Sequence, residues 1–365
     1  MSSVLEVNYE GRPCYQIHLT DSFGELIKDL QACGVTKERR LCIITDSNVA
    51  AFHLQAVEEL LQKEYDTVTH FIFPAGEEHK NLETVQDAYT HLIESHFDRK
   101  DVLLALGGGV VGDLTGFTAA TYMRGIDFVQ IPTSLLSQVD SSIGGKTGVD
   151  FRAFKNMVGA FYMPKLVYMN LKVLDTLPRE QFISGMGEIV KHGLIRDRAY
   201  FDWLLANRDR IEALDMEALE HMIAVSCGIK RAVVENDPKE KGERALLNFG
   251  HTIGHAVEKC ADFQLFHGQC VGIGMAAAAY ISKNRGKLSE SGFQAVLTAL
   301  QAFSLPMTAL SQESLEDVYR ATRSDKKMDG SKVKFILLSD IGDAYIERDL
   351  SEDEIKDGIR FILKR

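Results

Sequence analysis

Three histidines and one glutamate carry the strongest chemical signal in the chain. His251 and His255, four residues apart in NFGHTIGHA, share one face of a helix, and His267 follows in FHGQ after a turn. Glu188, in GMGEIVKHG, offers a carboxylate from another helix. Glu188, His251 and His267 together would make a catalytic zinc site of three ligands with a fourth position left for substrate or water; the plain alternative is capping or core histidines. His255 stands open between a direct ligand and a general acid or base. Basic residues gather in the same region: Lys191 three after Glu188, Lys230 in GIKRAVV and Arg244 in ERALLN. Around a metal they would suit a substrate carrying phosphate and carboxylate, although each taken singly reads as part of a solvated helix face. Lys326 and Lys327 in SDKKMDG read first as surface residues.

The first half of the chain holds a second set. GGGVVGD at 107–113 follows the apolar run VLLAL and precedes the helical run LTGFTAATYM. Glycines there let the backbone turn tightly and approach phosphate oxygens at a helix N-terminus, or serve a purely structural turn. Gly107, Gly109 and Gly112 satisfy GxGxxG, but the motif follows about the third strand of its domain and not the first, so an ordinary dinucleotide fingerprint would be misplaced. Asp46, ending the IITD run, is suited to ribose hydroxyls or to capping a helix. DSSIGGKTGVD at 140–150 packs Ser141, Ser142, Gly144, Gly145, Lys146 and Thr147 into a compact polar stretch that suits phosphate or carboxylate. It is no Walker A loop, because Asp140 stands where that motif needs glycine. Lys155 and Asn156 follow closely, and Glu77 and Lys80 in GEEHK lie between a cofactor contact and an ordinary helix start.

The elements that must position these residues change character once along the chain. LCIITD (41–46), HFIFPAG (70–76), VLLALGGG (102–109), FVQIP (128–132) and KLVYMN (165–170) read as strands, with amphipathic helical stretches among them, the order of a mostly parallel α/β sheet. Ligands on such sheets collect at the strands' carboxyl ends. From Leu177 the spacing turns helical almost throughout. This divides the chain into an α/β nucleotide-binding domain, 1–173, and a mostly α-helical metal- and substrate-binding domain, 174–365. SKVKFILLSDIGDAYIERD reads as two strands about a turn at Ile341-Gly342-Asp343, and SEDEIKDGIRFILKR as a capped terminal helix. With 365 residues, 45% hydrophobic and 25% charged, two cores are affordable. A net charge of −11 gives no support to a nucleic-acid partner. The start carries no secretory pattern, no apolar run is long enough to span a membrane, and six cysteines without a CxxC pair suit reduced thiols. The expectation is a cytoplasmic enzyme of small molecules.

The motifs TDSN, PAGEEHK, GGGVVGDLTGF, YMRG, IPTSLLSQVDSSIGGKTGVD, KNMVGAF, GEIVKHG, RALLNFGHTIGHA, HGQCVGIGM and DKK occur in this order, and on them the chain resembles the 3-dehydroquinate synthases over essentially its whole length. The resemblance implies a nucleotide-binding domain and a helical metal-binding domain with the active site in the cleft between them, in a homodimer. It implies NAD contacts at Asp46, Glu77, Lys80, Gly109, Asp113, Thr133 and Lys155, and metal ligands at Glu188, His251 and His267, for Zn2+ or Co2+. Substrate contacts would be Asp140, Lys146, Asn156, Lys191, Lys230, Arg244, Asn248 and His255, with Lys327 or Lys326 closing the site. Arg124 of YMRG would reach a substrate phosphate across the subunit interface.

The reaction so implied begins from 3-deoxy-D-arabino-heptulosonate 7-phosphate. Oxidation of the C5 hydroxyl by NAD acidifies the C6 hydrogen, phosphate leaves, the ketone is reduced again, the ring opens and an aldol closure gives 3-dehydroquinate. His255 is the preferred residue for proton movement near the ring oxygens. One departure stands out: Asp150-Phe151 replaces the Asn-His found in many members. Asn248 and His255, altered in other sugar phosphate cyclases, are both kept, which favours dehydroquinate formation; an amino-substrate relative is the harder alternative to set aside. The rival from another class is a metal- and NAD-dependent polyol or alcohol dehydrogenase, which would accumulate NADH. A third is a nucleotide-sensing module with a closed structural metal.

Overall fold

The computed structural model describes residues 2–152, 154–238, 240, 242–261, 264–309, 314–323, 328–329 and 332–363. They form two compact units, Met1–Leu177 and Pro178–Arg365.

The first unit is built on strands β1 (Ser2–Tyr9), β2 (Arg12–Thr20), β3 (Leu41–Asp46), β4 (Val68–Phe73), β5 (Val102–Gly107), β6 (Asp127–Pro132), β7 (Lys146–Phe151), β8 (Phe154–Phe161) and β9 (Leu166–Asn170). Seven of them make one sheet in the order β1-β2-β9-β6-β5-β3-β4, parallel except for the β1–β2 hairpin. Helices α1 (Leu26–Ala32), α2 (Ser47–Val49), α3 (Gln55–Leu61), α4 (Leu82–Glu94) and α5 (Gly109–Thr121) accompany it. Along β3, Leu41 and Ile43 face Leu26, Leu30, Val57 and Leu61, while Cys42 and Ile44 face Val85, Leu92, Val111 and Leu114. Burial on both faces explains why the strand reads as an unbroken apolar run rather than an alternating one. From β3 the chain moves outward to β4 and then returns to the other side of β3 as β5. The switch point therefore lies between the carboxyl ends of β3 and β5, where α/β sheets leave a crevice for ligands.

Two hairpins of this unit go beyond the strands expected from the sequence. β1 and β2 join through Glu10 and Gly11, both with positive φ, 51° and 77°, the handedness a two-residue hairpin turn needs. β7 and β8 convert the polar segment after Gly145 into an antiparallel ribbon. Gly148 and Gly159 stand opposite each other there, and a Cβ on Gly148 would meet the Val158 carbonyl at 2.7 Å.

The second unit contains α6 (Arg179–Arg196), α7 (Arg198–Ala206), α8 (Arg208–Glu212), α9 (Met216–Asn236), α10 (His251–Cys260), α11 (His267–Asn284), α12 (Glu290–Ala302), α13 (Leu315–Thr322) and α14 (Glu352–Leu363). Short β10 (Met328–Asp329) pairs with β11 (Lys332–Val333), and β12 (Phe335–Asp340) with β13 (Asp343–Glu347) about the expected turn. α11 is buried along almost its whole length and rich in alanine and glycine. Small residues let its neighbours reach its backbone: a Cβ on Gly268 would collide with the Ser184 carbonyl of α6, and one on Gly274 with the carbonyl of Gly250. No described helix is long and apolar enough to cross a membrane.

Candidate active site

At the carboxyl ends of neighbouring strands, the first unit brings together most of the residues expected to hold a dinucleotide. Asp46 ends β3, Glu77 and Lys80 follow β4, Gly107 ends β5 and Gly109 opens α5 just after it, and Thr133 follows β6. Lys80 is buried, with its Nζ 3.0 Å from Asp113 Oδ2 and 3.4 Å from Glu77 Oε1. Burial opposes its charge, but Asp113 and Glu77 outweigh that and hold Lys80 above the ordinary lysine range. Asp113, one turn into α5, is pushed up by burial, against the pull of Lys80 and with the help of Glu77 and Asp140. Asp46 caps the helix after it, its Oδ1 accepting from the backbone N–H of Asn48 and Val49, both at 2.9 Å. α5 begins at Gly109 with no side chain capping its first N–H groups. A 13-residue helix opened by bare glycines at a switch point fits the phosphates of a dinucleotide.

The expected substrate residues of this unit lie on or beside the β7–β8 ribbon. Lys146 opens β7 and is exposed, Asn156 lies on β8 beside Lys155, the residue expected to contact NAD, and Asp140 is half-buried in the helical turn Ser137–Ser141 before β7. The departure at Asp150 has a visible structural role. Its carboxylate accepts the Asn156 N–H at 2.7 Å, and its own N–H donates to the Lys80 carbonyl at 2.8 Å, linking the ribbon to the charge cluster. Phe151 is 41% exposed, with the Arg152 guanidinium 5.3 Å above its ring. Arg124 is exposed, with φ of 70°, in the turn Tyr122–Arg124.

In the second unit the four candidate ligands converge. Gly187, beside Glu188, packs on Gly268, beside His267, and a Cβ there would meet the Gly268 carbonyl at 2.6 Å. Gly250, in the left-handed region at φ 79°, turns the chain into α10 directly before His251. Backbone-to-backbone packing of α6, α10 and α11 thus sets the ligands side by side. Nε2 of His251 and Nε2 of His267 each lie 3.6 Å from Glu188 Oε1. Ligand atoms of His251, His255 and His267 all fall within 4.8 Å of one another. Oxygen and nitrogen ligands about 2.0–2.2 Å from a tetrahedral ion sit about 3.3–3.6 Å apart, so this donor set fits a divalent metal. His251 Nδ1 is 3.1 Å from the Phe249 carbonyl, which can only accept, so Nδ1 carries a proton and a neutral ring would leave Nε2 bare for a metal. Burial alone would favour a neutral His267, but Glu188 and Glu258 override it and hold that ring up to about 9.

The basic residues around this cluster are not a solvated helix face. Lys191, Lys230 and Arg244 are buried at 1%, 6% and 3% exposure, and Lys191 is ion-paired with Glu188. Arg244 donates through Nη1 to the Pro238 carbonyl at 2.6 Å, and Asn248 donates to Glu240 Oε1 at 2.8 Å. Burying three cations in one helical unit is costly unless anionic groups meet them. Two buried residues stand here that the sequence did not single out: Glu258 on α10, with Oε2 3.7 Å from His267 Nδ1, and His192, whose Nδ1 is 2.7 Å from Ser226 Oγ. Glu258, seven residues after His251 on one helix, was recoverable from the spacing. His192 was not, since Ser226 lies on a distant helix. Lys326 and Lys327 lie outside the described residues.

The family descriptions "3-dehydroquinate synthase N-terminal" and "3-dehydroquinate synthase C-terminal" match residues 70–184 and 185–328. A 3-dehydroquinate synthase from Acetivibrio thermocellus is 43% identical over 91% of both chains. Among solved structures, a 2-deoxy-scyllo-inosose synthase complexed with carbaglucose-6-phosphate, NAD+ and Co2+ superposes with a TM-score of 0.90 at 25% identity, covering 98% of this chain and 99% of that one. A 2-epi-5-epi-valiolone synthase from Streptomyces hygroscopicus subsp. jinggangensis, with NAD+ and Zn2+ bound, gives 0.87 at 26% identity over 98% and 99%.

Proposed function

The chain belongs to the 3-dehydroquinate synthase family, and from that membership we infer how the side chains described above divide the reaction. The activity is a phosphate-eliminating cyclisation of 3-deoxy-D-arabino-heptulosonate 7-phosphate to 3-dehydroquinate, a step of the shikimate pathway that depends on NAD and a divalent metal. The observation that carries the assignment of roles is the convergence of Glu188 with His251, His255 and His267 in a unit that also buries Lys191, Lys230 and Arg244.

In this reading Glu188, His251 and His267 hold Zn2+ or Co2+, which when bound supplies Lewis acidity to the reacting hydroxyls and the aldol carbonyl. NAD, bound by Asp46, Glu77, Lys80, Gly109, Asp113, Thr133 and Lys155, supplies a hydride acceptor that is restored within the turnover. Lys146, Lys191, Lys230 and Arg244 bind the substrate's phosphate and carboxylate, placing the phosphate where it can take the C6 proton as it leaves. Asp140, Asn156 and Asn248 orient hydroxyl groups, and His255 moves protons near the ring oxygens. Lys327 or Lys326 covers the bound substrate.

The working form is a cytoplasmic homodimer in which Arg124 reaches the partner's substrate phosphate. Supporting this are the apolar side chains that the ribbon turns outward, Phe154, Met157 and Phe161, each at least half exposed. A patch of that kind suits a subunit interface. The described cysteines are all unbridged, in keeping with a reducing compartment.

The test is incubation with NAD, Zn2+ or Co2+, and the heptulosonate phosphate, followed by NMR. Phosphate and 3-dehydroquinate in equal amounts with no net NADH is the expected result. Accumulating NADH with an uncyclised ketone would turn the assignment to a dehydrogenase, and no product from metal- and NAD-loaded protein would turn it to a cyclase of another sugar phosphate. Sedimentation equilibrium checks the dimer, which a single-chain mass would overturn.

A further inference from the structure

His267 is bracketed by two carboxylates on opposite ring nitrogens. Nε2 lies 3.6 Å from Glu188 Oε1, and Nδ1 lies 3.7 Å from Glu258 Oε2. The second distance is that of an ion pair and is longer than a hydrogen bond. The Glu258 side chain is 10% exposed, whereas the His267 ring is 31% exposed against 11% for His251. His251 has a backbone carbonyl, that of Phe249, to orient it. His267, the first residue of α11, has less packing around it and a side-chain carboxylate in the corresponding place. A neutral imidazole carries one N–H, and the nitrogen that meets a metal must be bare, so a ligand bound through Nε2 needs an acceptor at Nδ1.

We propose that Glu258 is a positioning residue of the metal centre: its carboxylate accepts the Nδ1–H of His267 when the site is loaded, fixing the tautomer and the aim of Nε2. α10 then contributes to the centre twice, through His251 at its start and Glu258 two turns later. The inference rests on the metal site proposed above.

Metal-stripped protein titrated with Co2+, read by its visible ligand-field absorption, and with Zn2+ against a chromophoric chelator, tests it without recourse to activity. Glu258→Leu, which removes the acceptor, is expected to weaken metal binding about 10–100-fold and to alter the Co2+ band. Glu258→Gln keeps an acceptor oxygen without the charge and is expected to lose less, with an altered band. The thermal midpoint of metal-free protein is expected to stay at the wild-type value in both. Wild-type affinity and band in either variant overturns the proposal, as does a metal-free midpoint that falls in step with affinity, which would make Glu258 a packing residue. His251→Ala separates the two readings. If it too binds like wild type, the metal site itself is wrong; if it loses the metal while the Glu258 variants do not, only the role of Glu258 falls.

Discussion

The two units assemble charge by opposite means. In the first, Asp46, Lys80, Gly109 and Thr133 sit where strands end, on loops whose placement follows from sheet order. In the second, Glu188, His251, His255 and His267 project from helices, and their meeting depends on glycines that let those helices touch. Loops at strand ends tolerate change, whereas a helix contact made through glycine tolerates little. The comparison suggests that metal binding will prove brittle and dinucleotide binding graded.

The sharpest break is His251→Ala, expected to abolish metal binding and reduce turnover to background, as metal analysis and phosphate release would show. Next comes His255→Ala, expected to lower kcat by about a hundredfold, the scale of general acid–base catalysis, while metal content holds. Loss of metal in that variant would instead make His255 a ligand. Gly268→Ala drives a methyl into the Ser184 carbonyl, so α6 and α11 must part at a cost of about 1–3 kcal/mol, with metal affinity falling alongside the metal-free melting midpoint. Asp113→Asn leaves Lys80 with Glu77 at 3.4 Å and is expected to raise the Kd for NAD about tenfold by fluorescence titration, or roughly 1.4 kcal/mol. An unchanged Kd would make the cluster purely structural.

The smallest effect is alkaline. Burial pushes the Cys42 thiol and the Tyr65 and Tyr168 hydroxyls up to about 12 in the first unit, above their usual 9.0 and 10.0. The unfolded chain therefore releases these protons first as pH rises. Their contribution to stability is whole below about pH 9 and is lost progressively towards 12. The urea midpoint should decline over that window, with a shallower slope in Cys42→Ala.

Much of this was legible in the residue order because its causes are local. Largely apolar runs marked β3, β5, β6 and β9, since a strand buried on both faces favours apolar residues at nearly every position, Thr45 and Gln130 being among the buried polar exceptions. The spacing of His251 and His255 placed them on one helix face, and the ordered motifs carried the family. The β7–β8 ribbon escaped, because its polar, glycine-rich segment gains strand character only from cross-strand pairing. Burial of Lys191, Lys230 and Arg244 escaped as well, since the neighbours that cover them come from other elements. The sequence by itself determined the central parallel strands, the helical second half and which side chain types could bind a metal or a phosphate, because periodicity and residue chemistry act over a few positions. Only the tertiary structure decided that Glu188 and His267 meet His251, and that Glu258 stands behind His267, because those distances depend on helices closing over glycine far apart in the chain.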